Sequence, residues 1–208
     1  MAATVRYDEQ YCPIARALDV LGDRWTLLIL RELVIGEQRF TDLRQHLPGV
    51  APTVLTQRLR SLVEQGFVTT TEHAGYAVTA RGRSTVPVMR ALARWGMPLL
   101  EEPSDDRPVR AWTAVNVAVA VYFDPAVAVG VDERYLFRVD GEDIVLSSVA
   151  GGGPPHDTPD VVLESAARVW IDIRQGRLTM DDAMSAGALR VTGRRGAIAN
   201  LRRIFQIP

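Results

Sequence analysis

The 208-residue chain contains no lysine: all 24 of its basic residues are arginine. GC-rich coding bias explains such usage, and so does a need for planar guanidinium groups at phosphate or base contacts; both readings stand. Cysteine occurs once, at Cys12, which excludes an intrachain disulfide framework and an all-cysteine metal site. Histidine occurs only at His46, His73 and His156, none with metal-like partner spacing. No apolar run reaches the ~20 residues that cross a bilayer. Residues 1–9 carry acids and no apolar core, unlike a secretion signal, so the expected compartment is the cytoplasm. With 47% hydrophobic and 24% charged residues and a net charge of -1, disordered and low-complexity classes are excluded. No nucleophile–base pair or paired carboxylates stand out, so neither an enzyme nor a cofactor is expected. Gly151-Gly-Gly-Pro-Pro155 lacks the spacing and lysine of a phosphate loop and reads as a flexible connection.

The near-zero net charge hides an asymmetry. Residues 1–100 hold 12 Arg against 9 acids, and residues 101–208 hold 12 Arg against 16 acids. A basic half joined to an acidic half suggests that one part meets a polyanion. Between them, Glu101-Glu-Pro-Ser-Asp-Asp-Arg-Pro108 is acidic and proline-bearing and reads as a linker. The expected domains are 1–100 and 111–208, joined by residues 101–110.

In the first half, Ile14, Ala17, Leu18 and Leu21 fall at helical spacing after Pro13, and Gly22 stops that helix. Asp23 can cap a second helix carrying Trp25, Leu28, Ile29 and Leu33, closed by Gly36. A short third helix opens near Arg39 with Phe40, Leu43 and Leu47. A fourth carries Val50, Val54, Leu55, Leu59, Leu62 and Val63 and ends at Gly66. Its polar face shows Thr53, Thr56, Gln57, Arg58 and Arg60. The β-prone runs from Phe67 and from Tyr76 flank His73-Ala-Gly75 as a hairpin, with Arg81 and Arg83 directly after it. This is a helix-turn-helix with a wing, whose fourth helix suits a major groove. Arg39, Thr53, Thr56, Gln57, Arg58, Arg60 and Arg81 are the candidate DNA-binding residues, through base edges, phosphates or a thymine methyl. A solvated polar face is the alternative.

The run Tyr11-Cys-Pro-Ile-Ala-Arg-Ala-Leu-Asp-Val-Leu-Gly-Asp-Arg-Trp-Thr-Leu-Leu-Ile-Leu-Arg-Glu-Leu33 resembles the opening of the HxlR-type winged-helix regulators. Arg39-Phe-Thr-Asp-Leu-Arg-Gln-His-Leu-Pro-Gly-Val50, Leu55-Thr-Gln-Arg-Leu-Arg-Ser-Leu62 and Glu64-Gln-Gly-Phe-Val68 continue the likeness to about Leu100. The resemblance implies a bacterial transcription regulator that binds DNA as a homodimer. It implies a dimer contact through the N-terminal region and residues 85–100, including Trp95. The wing is shorter than usual in that family. Cys12 stands where members often carry cysteine, some using it to sense oxidants or electrophiles. Such chemistry needs a lowered thiol pKa and access, with Arg16 one turn away to stabilise a thiolate; an inert thiol at a dimer seam is the alternative.

In the second half, residues 112–122 are valine-rich and read as strand or helix, while Asp140-Gly141 between two β-prone runs signals a hairpin. A strand from Asp160, a helix over residues 165–174, a capping box at Thr179, a strand from Leu189 and a terminal helix bearing Ala197, Ile198, Leu201, Ile204 and Phe205 follow. The order resembles the sterol carrier protein type 2-like fold, chiefly through Asp160-Val-Val-Leu163, residues 170–176, Ala183-Met-Ser-Ala-Gly-Ala-Leu-Arg-Val-Thr-Gly193 and residues 201–205. That likeness favours helix for residues 112–122 and implies an apolar tunnel for a lipid or other hydrophobic molecule. Trp112, Phe137, Trp170, Met180, Met184 and Phe205 are candidates to line it, plain core positions being the alternative.

The expected fold class is thus α+β, a winged helix-turn-helix followed by a sterol-carrier-like sandwich. The expected function is a homodimeric transcription regulator on a pseudo-palindromic operator, modulated by a hydrophobic ligand. The alternative is a lipid-binding or carrier protein that uses its winged helix only to dimerise.

Overall fold

The computed structural model describes Tyr7 and residues 9–104, 107–149 and 158–208. The N-terminal run, Asp105 and Asp106 of the acidic seam, the connection Gly151-Gly-Gly-Pro-Pro155 and His156 lie outside the described residues. The chain divides into two compact units, Met1–Thr85 and Val86–Pro208.

The first unit runs α1 (Pro13–Leu21), α2 (Thr26–Ile35), β1 (Gln38–Arg39), α3 (Phe40–His46), α4 (Pro52–Glu64), β2 (Val68–Thr70), β3 (Gly75–Val78) and α5 (Ala80–Arg83). Proline at the first turn starts α1 and α4 because its missing N–H would be unbonded there anyway. Asp23 does not cap α2 as expected. Its Oδ1 accepts the Trp25 N–H at 3.1 Å, and the helix begins one residue later at Thr26. The core is Ile29, Leu30 and Leu33 of α2, Leu43 of α3 and Leu55, Leu59 and Leu62 of α4. On α1 only Ala15 is buried, so the apolar stripe of Ile14 and Leu18 stays exposed, as does Tyr11. The two-residue β1 pairs antiparallel with β3, giving a sheet of order β1-β3-β2. Thr71 anchors the wing tip by donating to Glu37 Oε1 at 2.5 Å and accepting the Gly75 N–H at 3.0 Å.

The second unit runs α6 (Val86–Gly96), α7 (Ala111–Ala118), β4 (Arg134–Val139), β5 (Glu142–Ser147), β6 (Val161–Ser165), α8 (Ala167–Arg174), α9 (Met180–Ser185), β7 (Leu189–Gly193) and α10 (Arg195–Ile204). Residues 112–122 are helical, a 3-10 turn at Ala120–Tyr122 extending α7. The sheet order is β5-β4-β6-β7, with β4 and β6 parallel and the outer pairs antiparallel. Asp140 (φ 49°) and Gly141 (φ 82°) make the tight β4–β5 turn, whose two left-handed positions suit Asp-Gly. Thr179 Oγ1 accepts the Asp182 N–H at 3.0 Å, the cap read from sequence. Alternation along β4 buries Tyr135, Phe137 and Val139 on one face. Arg138, on the other face, reaches Asp143 and Glu164, each at 3.0 Å.

Two features of this unit differ from the expected boundary at residue 100. Helix α6 belongs with it, because Arg90 Nε and Nη2 donate to the carbonyls of Val121 and Phe123 at 3.2 and 2.9 Å. Of the described seam residues, Glu102 also meets Arg168 Nη1 of this unit at 2.7 Å, and Glu101 meets Arg107 within the seam at 2.6 Å.

Candidate nucleic-acid interface

Helix α4 follows α3 across the turn Leu47-Pro48-Gly49, where Gly49 takes φ 87°, a left-handed conformation that favours glycine. At 100° per residue, Leu55, Leu59 and Leu62 share the buried side, while Thr53, Thr56, Gln57 and Arg60 fall on the opposite, exposed side. Thr56, exposed, donates its Oγ1 hydroxyl to Pro52 O at 2.9 Å. Arg60 Nε meets Glu64 Oε1 at 2.9 Å, both exposed; such a pair contributes about 0.3–0.5 kcal/mol and yields readily to a phosphate.

Arg58 lies apart from this group. Its position on the flank of α4 turns it to Asp23, with Nη2 to Oδ2 at 2.7 Å and both side chains 29% exposed. Asp23 therefore sets the α1–α2 turn through one oxygen and holds α4 through the other. Arg39 is exposed at the start of α3, where its backbone N–H donates to Asp42 Oδ2 at 2.9 Å. Arg81 is exposed on α5, with its guanidinium carbon 4.6 Å from the Phe67 ring centroid. Burial lowers the pKa of Arg83, whose Nη1 donates to Val34 O at 3.4 Å, so that residue serves the unit's interior.

Beneath the surface sits a carboxylate that the helical pattern gave no reason to single out. Glu32 of α2 is fully buried, accepts Arg31 Nε at 2.8 Å and lies 3.7 Å from His46 Nδ1 of α3. The adjacent Arg31 compensates that burial within α2, and α3 adds His46 from a distance that no local pattern announces.

Cys12 is half-buried at the start of α1. The expected thiolate partner is engaged elsewhere: Arg16 Nη1 meets Asp19 Oδ2 at 2.9 Å, and Nη2 donates to Tyr7 O at 2.6 Å.

In the second unit the candidate ligand residues fall into separate groups. Phe137 and Trp170 meet edge-on with centroids 5.1 Å apart. Phe205 instead packs on Tyr135 and on Phe123, each at 5.6 Å. Met180 is buried with its sulfur 3.2 Å from Arg202 Nε, while Met184 and Trp112 are half-buried. Burial raises the pKa of Tyr135, reinforced by the hydrogen bond its hydroxyl donates to Glu133 Oε2 at 2.7 Å. Among the described residues no group of three or more His, Cys, Asp or Glu is placed to hold a metal ion, and no helix is long and apolar enough to cross a membrane.

Comparison with known proteins bears on the first unit and α6. The HxlR-like helix-turn-helix family model matches residues 20–104. A helix-turn-helix transcriptional regulator of Synechocystis sp. is 37% identical over 99 residues, covering 45% of this chain and 73% of that protein. One from Mycobacterium bovis is 38% identical over 96 residues, covering 43% and 60% respectively. The quinone-bound YodB of B. subtilis is similar at 28% identity, covering 41% of this chain and 96% of that one with a TM-score of 0.38. These relatives do not favour a carrier whose winged helix serves only to dimerise. With its helix-turn-helix segment matching both the family model and these regulators, the chain belongs to the HxlR-like helix-turn-helix family and is a transcriptional regulator of the winged-helix type.

Proposed function

We propose that the chain binds a pseudo-palindromic operator as a homodimer, with α4 of each protomer in successive major grooves about 34 Å apart. The observation that carries this reading is the exposed face of α4, where Thr53, Thr56, Gln57 and Arg60 stand together on the side opposite the buried leucines. In this reading Gln57 and Thr56 meet base edges, Arg60 and Thr53 meet phosphate or base, and Arg39 and Arg81 flank them on the backbone. Arg58 acts through Asp23, by holding the helix that presents the others. Dimerisation is supported by two apolar surfaces, one in each unit. Tyr11, Ile14 and Leu18 are exposed in the first, and Val88, Leu92, Trp95 and Leu99 recur at helical spacing in the second.

The second unit is proposed to be sterol-carrier-like and to take an apolar ligand that shifts the balance between dimers of different DNA affinity. Its support is the paired Phe137 and Trp170, with the buried indole N–H of Trp170 lacking a hydrogen-bond partner among the described residues. A thiol switch at half-buried Cys12 is testable by Cys12→Ser, which would abolish any oxidant sensitivity of DNA binding.

The deciding experiment is fluorescence anisotropy of fragments from the gene's own upstream region, titrated at two salt concentrations. Fragment-selective, salt-sensitive binding is expected, because phosphate contacts release counterions. Gln57→Ala should reduce discrimination between fragments by about 1–3 kcal/mol. Weak binding alike on every fragment and at both salts would overturn the proposal.

A further inference from the structure

Three guanidinium groups converge on one aromatic ring in the second unit. The Cζ atoms of Arg174, Arg94 and Arg90 lie 3.6, 5.6 and 5.9 Å from the centroid of Tyr122, whose side chain is buried. Arg94 is exposed and the other two are half-buried, so the cluster reaches solvent through Arg94. Like charges so close repel, and arginines four residues apart on one helix do so in particular. Burial first, and then the positive charges of Arg94 and Arg90, pull Arg174 down to about 10, against an opposing contribution from Tyr122.

Elsewhere in this unit such charges are neutralised: Arg138, Arg168, Arg194 and Arg202 each pair with a carboxylate. Among the described residues none of the three around Tyr122 does. Arg174 spends its donors on the carbonyls of Ala118, Phe205 and Gln206. Arg90 gives Nε and Nη2 to the carbonyls of Val121 and Phe123, which leaves Nη1. Arg94 has a single long contact, Nη2 to Gln206 Oε1 at 3.5 Å, which leaves Nε and Nη1. The carboxylate of Asp124 touches the group only through the Gln206 amide, itself 3.5 Å away. Two guanidinium edges with spare donors therefore lie one turn apart on α6, backed by a third positive charge that a neighbouring acid does not cancel. A planar or tetrahedral oxyanion bridging them would make short, charge-assisted bonds and relieve the repulsion.

We infer that Arg90 and Arg94, with the charge of Arg174 behind them, bind a small oxyanion: a carboxylate or phosphate group, of a free anion or of an amphipathic ligand's head. The site needs only this cluster and stands apart from the apolar-ligand reading above.

The test uses thermal melts of the full chain at constant ionic strength, with chloride replaced by inorganic phosphate in one series and by sodium decanoate in another. A saturable rise of about 3 °C is expected at tenfold excess over Kd in at least one series. Arg94→Gln should weaken that response tenfold or more. Arg190→Gln, exposed on β7 and outside the group of arginines at the Tyr122 ring, should leave it unchanged. A response to phosphate identifies a free anion as sufficient, and a response to decanoate alone identifies a carboxylate head on an apolar tail; either supports the site. Because other arginines can attract phosphate, the Arg94 variant decides. A response in Arg94→Gln equal to wild type overturns the proposal, as does no saturable response to either anion. Arg94 is exposed, so its replacement keeps the fold even where Arg90→Gln lowers the melting temperature by itself.

Discussion

Gly82 sits between the two arginines that follow the wing, and replacing it with alanine should loosen the wing. A Cβ at this position would lie 2.2 Å from the Phe67 carbonyl oxygen and 2.4 Å from Val78 Cγ2. A carbon–oxygen contact of about 3.3 Å is the nearest comfortable approach, so something must retreat by roughly 1 Å. The Phe67 carbonyl cannot do so freely, because it accepts both the Thr79 N–H at 3.0 Å and the Thr79 hydroxyl at 3.2 Å. Losing much of those two bonds costs about 2 kcal/mol, and the crowding of Val78 adds about 1 kcal/mol. Alanine's better helix propensity in α5 returns about 0.5–1 kcal/mol, leaving a net destabilisation of about 2 kcal/mol. Hydrogen exchange reads this locally: the Val78 and Thr79 amides should exchange about 30-fold faster, while amides of the second unit keep their protection. Operator affinity should fall with it, since Arg81 rests on the Phe67 ring. Unchanged exchange at Thr79, with a stability change below about 0.5 kcal/mol, would refute the reasoning.

Arg58 and Arg60 should separate in their effects on DNA binding. Arg60→Ala should reduce the salt dependence of binding by about one unit of slope, whereas Arg58→Ala should leave the slope and lower stability instead. A double-mutant cycle of Arg58→Ala with Asp23→Ala should give a coupling of about 0.5–1 kcal/mol, as expected for a half-exposed pair; zero coupling would remove the positioning role. The raised pKa of Tyr135 also predicts a pH effect. Its neutral form contributes stability that is fully present below the unfolded value of about 10 and is lost as pH climbs above it. Urea midpoints of the second unit should therefore fall between pH 9 and pH 11 in the wild type, and fall less in Tyr135→Phe.

Much of the architecture is legible because its signals are local. Pro13 and Pro52 at helix starts, the leucines of α4 at 3.6-residue spacing, and Asp140-Gly141 between β-prone runs each act within a few residues. What sequence misses is decided by distant partners. Strand β1 is two residues long and exists only because Gln38 and Arg39 meet Tyr76 and Gly75. The stripe on α1 has the period of a buried face, yet period reports amphipathicity and not which surface covers it, and Ile14 and Leu18 stay exposed. In the candidate site, Thr53, Thr56, Gln57 and Arg60 are found where helical spacing puts them. Arg58, only one residue from Gln57, is diverted by Asp23, an acid 35 positions earlier in the chain.

Helix α6 carries two faces of opposite character. Around its axis, Val88, Leu92 and Trp95 fall within one arc and are exposed, while Arg90 and Arg94 fall on the far side and face the Tyr122 ring. One face is thus apolar and available to a second copy of the chain, and the other is cationic and bonded to the carbonyls that follow α7. A ligand can alter a dimer only by binding one of its states better than another. An anion at Arg90 and Arg94 takes the donors that those carbonyl bonds leave spare, so its affinity depends on how the bonds place the two guanidinium groups. In the proposed dimer the same helix carries Trp95 to the partner, which links the two equilibria through a single rigid element. The physical prediction is reciprocal: an anion that raises the dimer's stability must bind the dimer more tightly than the monomer, and Arg94→Gln must uncouple the two without touching the apolar face. Sedimentation of wild type and variant with and without phosphate reads that coupling directly, and an anion effect on assembly that survives in Arg94→Gln would place the linkage elsewhere.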